Sequence, residues 1–264
     1  MPDLSAETIS RALSTRRLGR AAVFFEQIGS TNDAAHDLAR GGAGDGLLVV
    51  ADEQTAGRGR QGRSWWAPGG TCLLMSLVLR PALPLALAGQ LTMCLGLGAV
   101  EGISAQTGAA AVLKWPNDLL LAGRKLGGML TELETAGGQL NYAVLGLGLN
   151  VNVSFDPPVA PEPLAESATS LMTETGREID RPALLSAILG RTEIWYERTL
   201  RGEPPHEAWA QRLDTLNRRV TVSMIGSRLA GVATGVTPEG ALLVRDDGGI
   251  THTVWSGDVT TLRS

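Results

Sequence analysis

The segment at residues 111–152 constrains the fold more than any other part of the sequence. It contains four strand-like runs rich in apolar residues, at 111–115, 119–121, 125–134 and 141–152. Pro116-Asn117, Ala122-Gly123 and an Ala-Gly-Gly turn at 136–138 separate these runs. Because turns this short join neighbouring antiparallel strands, the segment predicts an antiparallel meander.

Further strands and helices are predicted on both sides of this meander. Strand-like runs lie at 23–28, 47–51 and 71–80, and helical patterns lie within 1–20 and at 33–42, 83–100, 181–200 and 205–213. Together they predict an α+β fold with a mixed or antiparallel sheet and flanking helices. A proline-rich stretch at 156–163 predicts a surface loop.

The period of the pattern changes near Leu216. Four short strand-like runs follow, at 220–225, 229–236, 241–246 and 251–256, and turn signals such as Pro238-Glu239-Gly240 separate them. This pattern predicts a small closed β-barrel of about fifty residues. We therefore expect two domains, at 1–215 and 216–264.

Composition excludes several classes of protein. A net charge of -4 and a pI near 5.5 argue against a chain whose main task is to coat nucleic acid. The uncharged segment at 83–100 has the minimal length of a membrane span, but Pro84, Gln90 and three glycines interrupt it, which predicts a buried core helix. Cys72 and Cys94 lie in apolar runs without disulfide or zinc spacing, so we expect core residues in a reducing cytoplasm.

A glycine- and arginine-rich loop at 52–70 is the first candidate site. Arg58, Arg60 and Arg63 alternate with glycines, which let a backbone approach a ligand closely. Guanidinium and backbone N–H groups in such a loop can surround a phosphate or a carboxylate. Taken alone, the loop also fits an RGG-like nucleic-acid segment or a solvated turn. The Trp65-Trp66 pair that follows fits either stacking on an adenine or closing a core.

Lys114 is the second candidate. It lies in an apolar strand just before a proline turn, where burial is costly unless the ammonium meets an anion. The alternative is an edge-strand lysine that extends to the surface. Asn117 and Asp118, in the turn, could simply cap the hairpin.

Glycines within strands and a polar cluster complete the candidates. Gly128 and Gly148 lie where a side chain would obstruct a close ligand, although strand glycines also mark bulges. They do not open a helix, so they are not a dinucleotide fingerprint. Ser30-Thr31-Asn32 fits a helix N-cap, and it also offers hydroxyl and amide groups that could bind a small polar ring.

Five pieces occur in the order STN (30–32), QTAGRGRQGRSWW (54–66), KWPND (114–118), RKLGGML (124–130) and GLGLNVN (146–152). In this order they resemble the biotin-protein ligase family over residues 23–152. The resemblance implies a class II synthetase-like biotin/lipoate ligase domain and a C-terminal SH3-like β-barrel. Larger relatives add an N-terminal DNA-binding domain, and about twenty residues precede the first strand here, so we expect the ligase-only form.

The resemblance implies that biotin and ATP form biotinyl-5′-AMP, and that biotin then passes to a lysine of a biotin carboxyl carrier protein or domain. Biotin is expected to contact Ser30, Thr31, Asn32, Gln54, Gly57, Arg58, Gly59, Arg60, Lys114, Gly128 and Gly148. ATP is expected to contact Arg60, Arg63, Trp65, Asn117, Lys125 and Asn150. Lys114 and Arg60 are the expected catalytic residues.

This reaction joins two anions, so fixed cations are what its site needs. His36, His206 and His252 are scattered and form no metal set, so the metal we expect is Mg²⁺ brought by ATP. We expect neither nucleic acid nor membrane as a partner, and the resemblance allows a homodimer. The alternatives are a lipoate or octanoate ligase and a non-catalytic biotin-sensing regulator.

Overall fold

The structure is a computed structural model that describes residues 3–155, 161, 164–224 and 226–261. The loop predicted at 156–163 therefore lies outside the described residues, except for Pro161. Within the described ranges the chain forms two sheets, and helices pack against the larger one. This arrangement confirms the predicted α+β class.

The larger sheet contains β1 (Ala22–Ile28), β2 (Leu47–Gln54), β3 (Cys72–Leu79), β4 (Val112–Lys114), β5 (Asp118–Leu121), β6 (Arg124–Ala136) and β7 (Gln139–Asn150). Their order is β1-β2-β3-β7-β6-β5-β4. β1 and β2 are parallel, and the other neighbours are antiparallel. Strands β4 to β7 form the predicted meander, which joins the rest of the sheet through the β3–β7 pair.

The helices are α1 (Ala6–Ala12), α2 (Thr31–Arg40), α3 (Gly89–Thr107), α4 (Leu164–Ser167), α5 (Leu171–Thr175), α6 (Arg181–Leu200) and α7 (His206–Gln211). α3 and α6 pack against each other, and two glycines of α3 make the approach close. A Cβ atom at Gly98 would lie 2.0 Å from Thr192 Oγ1, and one at Gly102 would lie 2.7 Å from Ile188 Cα. Side chains at these two positions would push the helices apart.

The uncharged segment predicted at 83–100 forms most of α3. The helix continues to Thr107, and Gly108 then ends it with a left-handed φ of +77°. By length and composition the helical segment Leu85–Thr107 could cross a membrane, but 72% of its most apolar 18-residue stretch is buried inside the fold. The prediction of a buried core helix is confirmed.

The smaller sheet contains β8 (Arg219–Met224), β9 (Ser227–Val236), β10 (Leu242–Arg245), β11 (Thr251–Val254) and β12 (Asp258–Thr261). It is antiparallel, with the order β11-β10-β9-β8-β12. Four of these strands match the predicted runs. The sequence analysis missed β12, because Val259 is the only apolar residue in its four positions and no alternating pattern forms.

Trp115 fastens the smaller sheet to the rest of the chain. The residue is buried, and its Nε1 donates a hydrogen bond to the carbonyl oxygen of Gly240 at 2.9 Å. Its backbone N–H donates to Thr215 Oγ1 at 3.0 Å. Gln90 of α3 adds a bond to the carbonyl oxygen of Pro238. Because Trp115 directly follows Lys114, these contacts also fix the end of β4.

Replacing Gly102 by alanine should lower the free energy of unfolding, because the new methyl group would overlap the backbone of α6. Overpacking of this kind costs about 1–3 kcal/mol. Gly190 of α6, which has no atom within 4 Å of a built Cβ, is the matched control. Gly190→Ala should be neutral or stabilising, since alanine is more favourable than glycine within a helix by about 1 kcal/mol. Equal urea midpoints for the two variants would contradict the close α3–α6 contact.

Candidate active site

One cavity of about 790 Å³ gathers most of the predicted site residues. Its walls come from the glycine- and arginine-rich loop, from strands β5 to β7 and from β12 of the smaller sheet. The predicted residues that line it are Ser30, Asn32, Gln54, Arg58, Gly59, Arg60, Arg63, Trp65, Lys114, Asn117, Lys125, Gly128, Gly148 and Asn150. Thr31 and Gly57 do not line it. Its volume is suited to a ligand the size of a nucleotide.

The floor of the cavity is a pair of glycines on adjacent strands. The sheet register places Gly128 of β6 directly opposite Gly148 of β7. Trp65 of the loop lies on this floor, since a Cβ atom at Gly148 would be 2.7 Å from its indole Cε2. The indole Nε1 is buried and has no hydrogen-bond partner among the described residues. A side chain at Gly148 would therefore displace Trp65.

Asn32 organises the polar end of the cavity. Its Nδ2 donates to Glu132 Oε2 at 2.7 Å and to the carbonyl oxygen of Leu130 at 3.2 Å. Its Oδ1 accepts a bond of 2.6 Å from Ser76 Oγ. A Cβ atom at Gly146 would lie 2.3 Å from the same Oδ1, so only glycine leaves room for this amide. The orientation of the Asn32 side chain is thus fixed from three sides.

Ser30 and Thr31, which precede Asn32, make different contacts. Ser30 precedes α2 as its N-cap residue, but its side chain makes no capping hydrogen bond and lines the cavity instead. The simple capping alternative is therefore wrong for this side chain. Thr31 donates to Gln54 Oε1 from its backbone N–H (2.7 Å) and from its Oγ1 (3.0 Å). Thr31 thus supports Gln54, which itself lines the cavity.

The loop between β2 and β3 forms a small hairpin. The N–H of Gly59 donates to the carbonyl oxygen of Arg63 at 2.7 Å, and the N–H of Trp65 donates to that of Gly57 at 2.8 Å. Gly62 has a left-handed φ of +74° at the tip. A Cβ atom at Gly57 would lie 2.7 Å from the carbonyl oxygen of Trp65, so Gly57 allows the hairpin to close.

Among the described residues, five basic side chains and the carboxylates of Asp118 and Asp258 line the cavity. Four of the five have partners: Arg58 pairs with Glu132 and Asp33, Arg60 with Asn117 (3.3 Å), Arg63 with Asp258, and Lys125 with Asp118 (2.7 Å). Lys114 makes no side-chain hydrogen bond or ion pair with any residue that the structure describes. Its charge is therefore available to an anion in the cavity.

Arg58 fastens the loop to the body of the domain. Its guanidinium donates to both oxygens of Glu132, at 3.0 and 2.9 Å, and to Asp33 Oδ1 at 2.7 Å. Partial burial raises the pKa of Glu132, but hydrogen bonds from Asn32 and Arg58 outweigh burial and bring that pKa below its usual value. Sequence analysis missed Glu132, although strand alternation puts it on the same face of β6 as Gly128.

Asn150 and Lys125 lie at the other end of the cavity. Asn150 is buried, and its Nδ2 donates to the carbonyl oxygen of Thr169 at 3.0 Å and, at 3.5 Å, to that of Lys125. The ammonium of Lys125 lies 5.8 Å from the centroid of the Trp65 ring. Asn150 therefore supports the backbone that carries Lys125.

The described residues contain no group of three or more His, Cys, Asp or Glu side chains placed to hold a metal ion. Cys72 and Cys94 are buried, and burial raises the pKa of their thiols to about 11 and about 12. Both thiols are therefore protonated at neutral pH and pack as core residues.

Comparison with known proteins identifies close relatives of the chain. Residues 24–150 match the model of the biotin/lipoate A/B protein ligase family, and residues 215–260 match that of the biotin protein ligase C terminal domain. The chain is 36% identical over 265 residues to the bifunctional ligase/repressor BirA of Bacillus spizizenii, covering 97% of this chain and 78% of that protein. It is 35% identical to the biotin–(acetyl-CoA-carboxylase) ligase of Mycobacterium tuberculosis, covering 90% and 87% of the two chains.

A solved structure is similar over nearly the whole length. The biotin protein ligase from Aquifex aeolicus in complex with biotin and ATP superposes with a TM-score of 0.77 at 28% identity. The match covers 93% of this chain and 100% of that chain.

Glu132→Gln should loosen the loop, because an amide cannot accept both guanidinium bonds of Arg58. In a fraction of the molecules the loop is detached from the domain. Loss of about 1 kcal/mol from this contact would raise that fraction about fivefold. Trypsin should then cut after Arg58, Arg60 and Arg63 correspondingly faster. Asp37→Asn, which breaks an exposed pair with Arg40, is the matched control. Equal cleavage rates in both variants would contradict the fastening role.

The same contact has a predicted pH dependence. Because the folded-state pKa of Glu132 is lowered, its contribution is fully present above the usual glutamate pKa. It should disappear only as pH falls through the lowered value, and Glu132→Gln should abolish this dependence. The chain has six tryptophans, so the difference in fluorescence between the protein and its Trp65→Phe variant, followed against pH, isolates the signal of Trp65. The same difference titration in the Glu132→Gln background would contradict the assignment.

Proposed function

The chain belongs to the biotin protein ligase family and is an ATP-dependent enzyme that forms biotinyl-5′-AMP and transfers biotin to a protein lysine, and we propose that the cavity over Gly128 and Gly148 is its active site. The main support for this proposal is the position of Lys114 in the wall of the cavity. Among the described residues its ammonium has no partner, and those that line the cavity include more cations than carboxylates and a floor without side chains. An anionic pair of substrates fits such a site.

The end of the cavity near α2 is assigned to the biotin head group. Ser30, Asn32 and Gln54 present hydroxyl and amide groups there, and the hydrogen bonds described above fix the last two. Preoriented amides discriminate between rings because a mismatched ring would leave buried polar groups unpaired. Thr31 and Gly57 then act indirectly, by holding Gln54 and the loop.

The end of the cavity near Trp65 is assigned to the nucleotide. Arg63, Asn117 and Lys125 surround it with charge and amide groups, and the indole offers a flat face. The unpartnered Nε1 of Trp65 can donate a hydrogen bond to a ligand acceptor. Asn150 is assigned to this end as the support of Lys125.

In the first step, a biotin carboxylate oxygen bonds to the α-phosphorus of ATP, and the bond to pyrophosphate breaks. No proton must be removed, because the carboxylate is already ionised. The site must instead hold two anions together and stabilise charge on the phosphoryl oxygens, which is the role assigned to Lys114 and Arg60. In the second step, the neutral amine of the acceptor lysine bonds to the acyl carbon, the acyl C–O bond to AMP breaks, and the nitrogen loses one proton to solvent.

Arg60 and Arg58 differ in how readily they can serve a ligand. The guanidinium of Arg60 has one neutral contact, at 3.3 Å, to Asn117 Oδ1. That of Arg58 is held by two carboxylates, Glu132 and Asp33. A ligand anion would have to displace one of these carboxylates from Arg58, whereas Arg60 requires no such exchange. Direct contact with the reacting phosphate is therefore assigned to Arg60.

Magnesium is assigned to ATP as its counter-ion. Mg²⁺ usually binds substrate phosphates, several waters and one or two carboxylates. The carboxylates that line this cavity, Asp118 and Asp258, are each paired with a cation. The triphosphate and water would therefore supply most of the ligands of the ion.

We place the catalytic domain at 1–215 and the SH3-like domain at 216–264, with Asp258 of the second domain contacting Arg63 of the first. The acceptor is assigned as a biotin carboxyl carrier protein or domain, which accords with the relative named after acetyl-CoA carboxylase. Two buried, protonated thiols suit a reducing cytoplasm. A homodimer is the proposed assembly, for which sedimentation is the test.

Lys114→Ala should abolish most adenylate formation, because the variant loses a cation that has no partner among the residues that the structure describes. Removing a single charge-stabilising donor from a transition state costs about 10²–10³ in rate. Biotin-dependent exchange of pyrophosphate into ATP measures this step. The matched control is Lys125→Ala at the chain's other lysine, where the KM for ATP should rise more than the rate falls. Exchange at the wild-type rate in Lys114→Ala would contradict the assignment.

Arg60→Ala should weaken retention of the adenylate, since a cation beside the phosphate would be lost. Preformed biotinyl-5′-AMP should leave the enzyme about tenfold faster, the equivalent of about 1.4 kcal/mol. Rapid filtration after a chase with unlabelled adenylate measures the rate. Arg20→Ala, at an exposed position, is the control. If both variants release the adenylate as slowly as the wild type, the role of Arg60 is refuted.

A further inference from the structure

The two ends of the glycine- and arginine-rich loop are not held together by β-sheet hydrogen bonds between β2 and β3. The β2–β3 pairing ends at Ala51 and Leu74, so the two strands separate before the loop begins. The chain beyond β2 follows β1 instead, since the N–H of Thr55 donates to the carbonyl oxygen of Ile28 at 2.9 Å. Another contact must therefore set the distance between the two ends of the loop.

The side chain of Asp52 makes that contact. Its Oδ1 accepts a bond of 2.7 Å from the guanidinium of Arg181, at the start of α6. Its Oδ2 accepts a bond of 2.8 Å from the backbone N–H of Gly70, at the far end of the loop. The same nitrogen of Arg181 also donates to the carbonyl oxygen of Cys72, the first residue of β3, at 3.0 Å. One ion pair thus joins β2, the loop end and β3.

Because Arg181 is buried, breaking its ion pair with Asp52 is energetically costly. Arg181 is 4% exposed, and a buried guanidinium that loses its carboxylate is left with an uncompensated charge. Gly70 has a φ of +78°, which lets its N–H turn toward Asp52. The position of the loop end is therefore coupled to α6, a helix that contributes no residue to the cavity lining.

We propose that Asp52 and Arg181 are positioning residues that set how the loop closes over the adenylate. This proposal rests on the proposed function of the cavity. Neither residue touches the reacting atoms, so the pair acts on retention of biotin and adenylate rather than on the bond that forms. Its loss should raise the KM for biotin and the rate of adenylate release, and it should leave the single-turnover rate of adenylate formation at saturating substrates nearly unchanged.

Asp52→Asn, Arg181→Met and the double variant test the proposal by filtration of preformed biotinyl-5′-AMP and by single-turnover formation of the adenylate. Each single variant should release the adenylate about tenfold faster with formation within about twofold of the wild type. The double variant should be no faster than the singles, because residues that act as a unit are not additive. Asp52→Glu, which keeps the carboxylate, should restore most of the retention.

Glu193→Gln is the matched control for a general loss of stability. Glu193 is also a buried carboxylate, but it accepts the backbone N–H groups of Arg16, Arg17 and Leu18, away from the loop. Wild-type release from Asp52→Asn, or equal release from Glu193→Gln, would overturn the proposal. Absence of adenylate from the wild-type enzyme would instead refute the function of the cavity, so the two failures are distinguishable. The double variant leaves no unpaired buried charge, so it should fold even if a single variant does not, and its release rate then decides the proposal.

Discussion

The alignment of Gly128 with Gly148 across β6 and β7 is the constraint on which the rest of the site depends. Two side chains at these positions would fill the cavity from below, and Trp65 could no longer lie on the sheet. The register that aligns them is fixed by the long β6–β7 pairing, which buries apolar residues on the core face. A shift by one residue would move both glycines away from the loop. The chemistry of the site is thus specified by the same pairing that forms the sheet.

Charge pairing divides the cavity's cations into two groups. Arg58 and Lys125 are held by carboxylates of the domain, and Arg63 reaches a carboxylate of the smaller sheet. These pairs hold the loop, the end of the cavity near Trp65 and the smaller sheet in place. Lys114 and Arg60 pair with no carboxylate in the part of the chain that the structure describes. A site built in this way attracts two anionic substrates while its loop stays attached to the protein.

Most of the fold, and most of the residues that line the cavity, could be predicted from the sequence because both depend on local signals. Short turns specified the meander, and glycines between arginines indicated an anion-binding loop. Contacts between distant segments could not be predicted. Glu132 pairs with Arg58, 74 positions away, and Arg181 pairs with Asp52, 129 positions away. The sequence around each residue contains no pattern that indicates its partner. β12 was missed for a related reason, since its pairing with β8 and not its own sequence makes it a strand.

We propose that this cavity activates biotin and passes it to a protein. The most direct test is the transfer of biotin to a purified biotin carboxyl carrier domain, with ATP and magnesium, read by mass spectrometry and streptavidin blot. We expect one biotinyl group on one acceptor lysine, dependent on ATP, and no lipoyl group when lipoate replaces biotin. An unmodified acceptor, with a folded enzyme and a competent carrier domain, would contradict it.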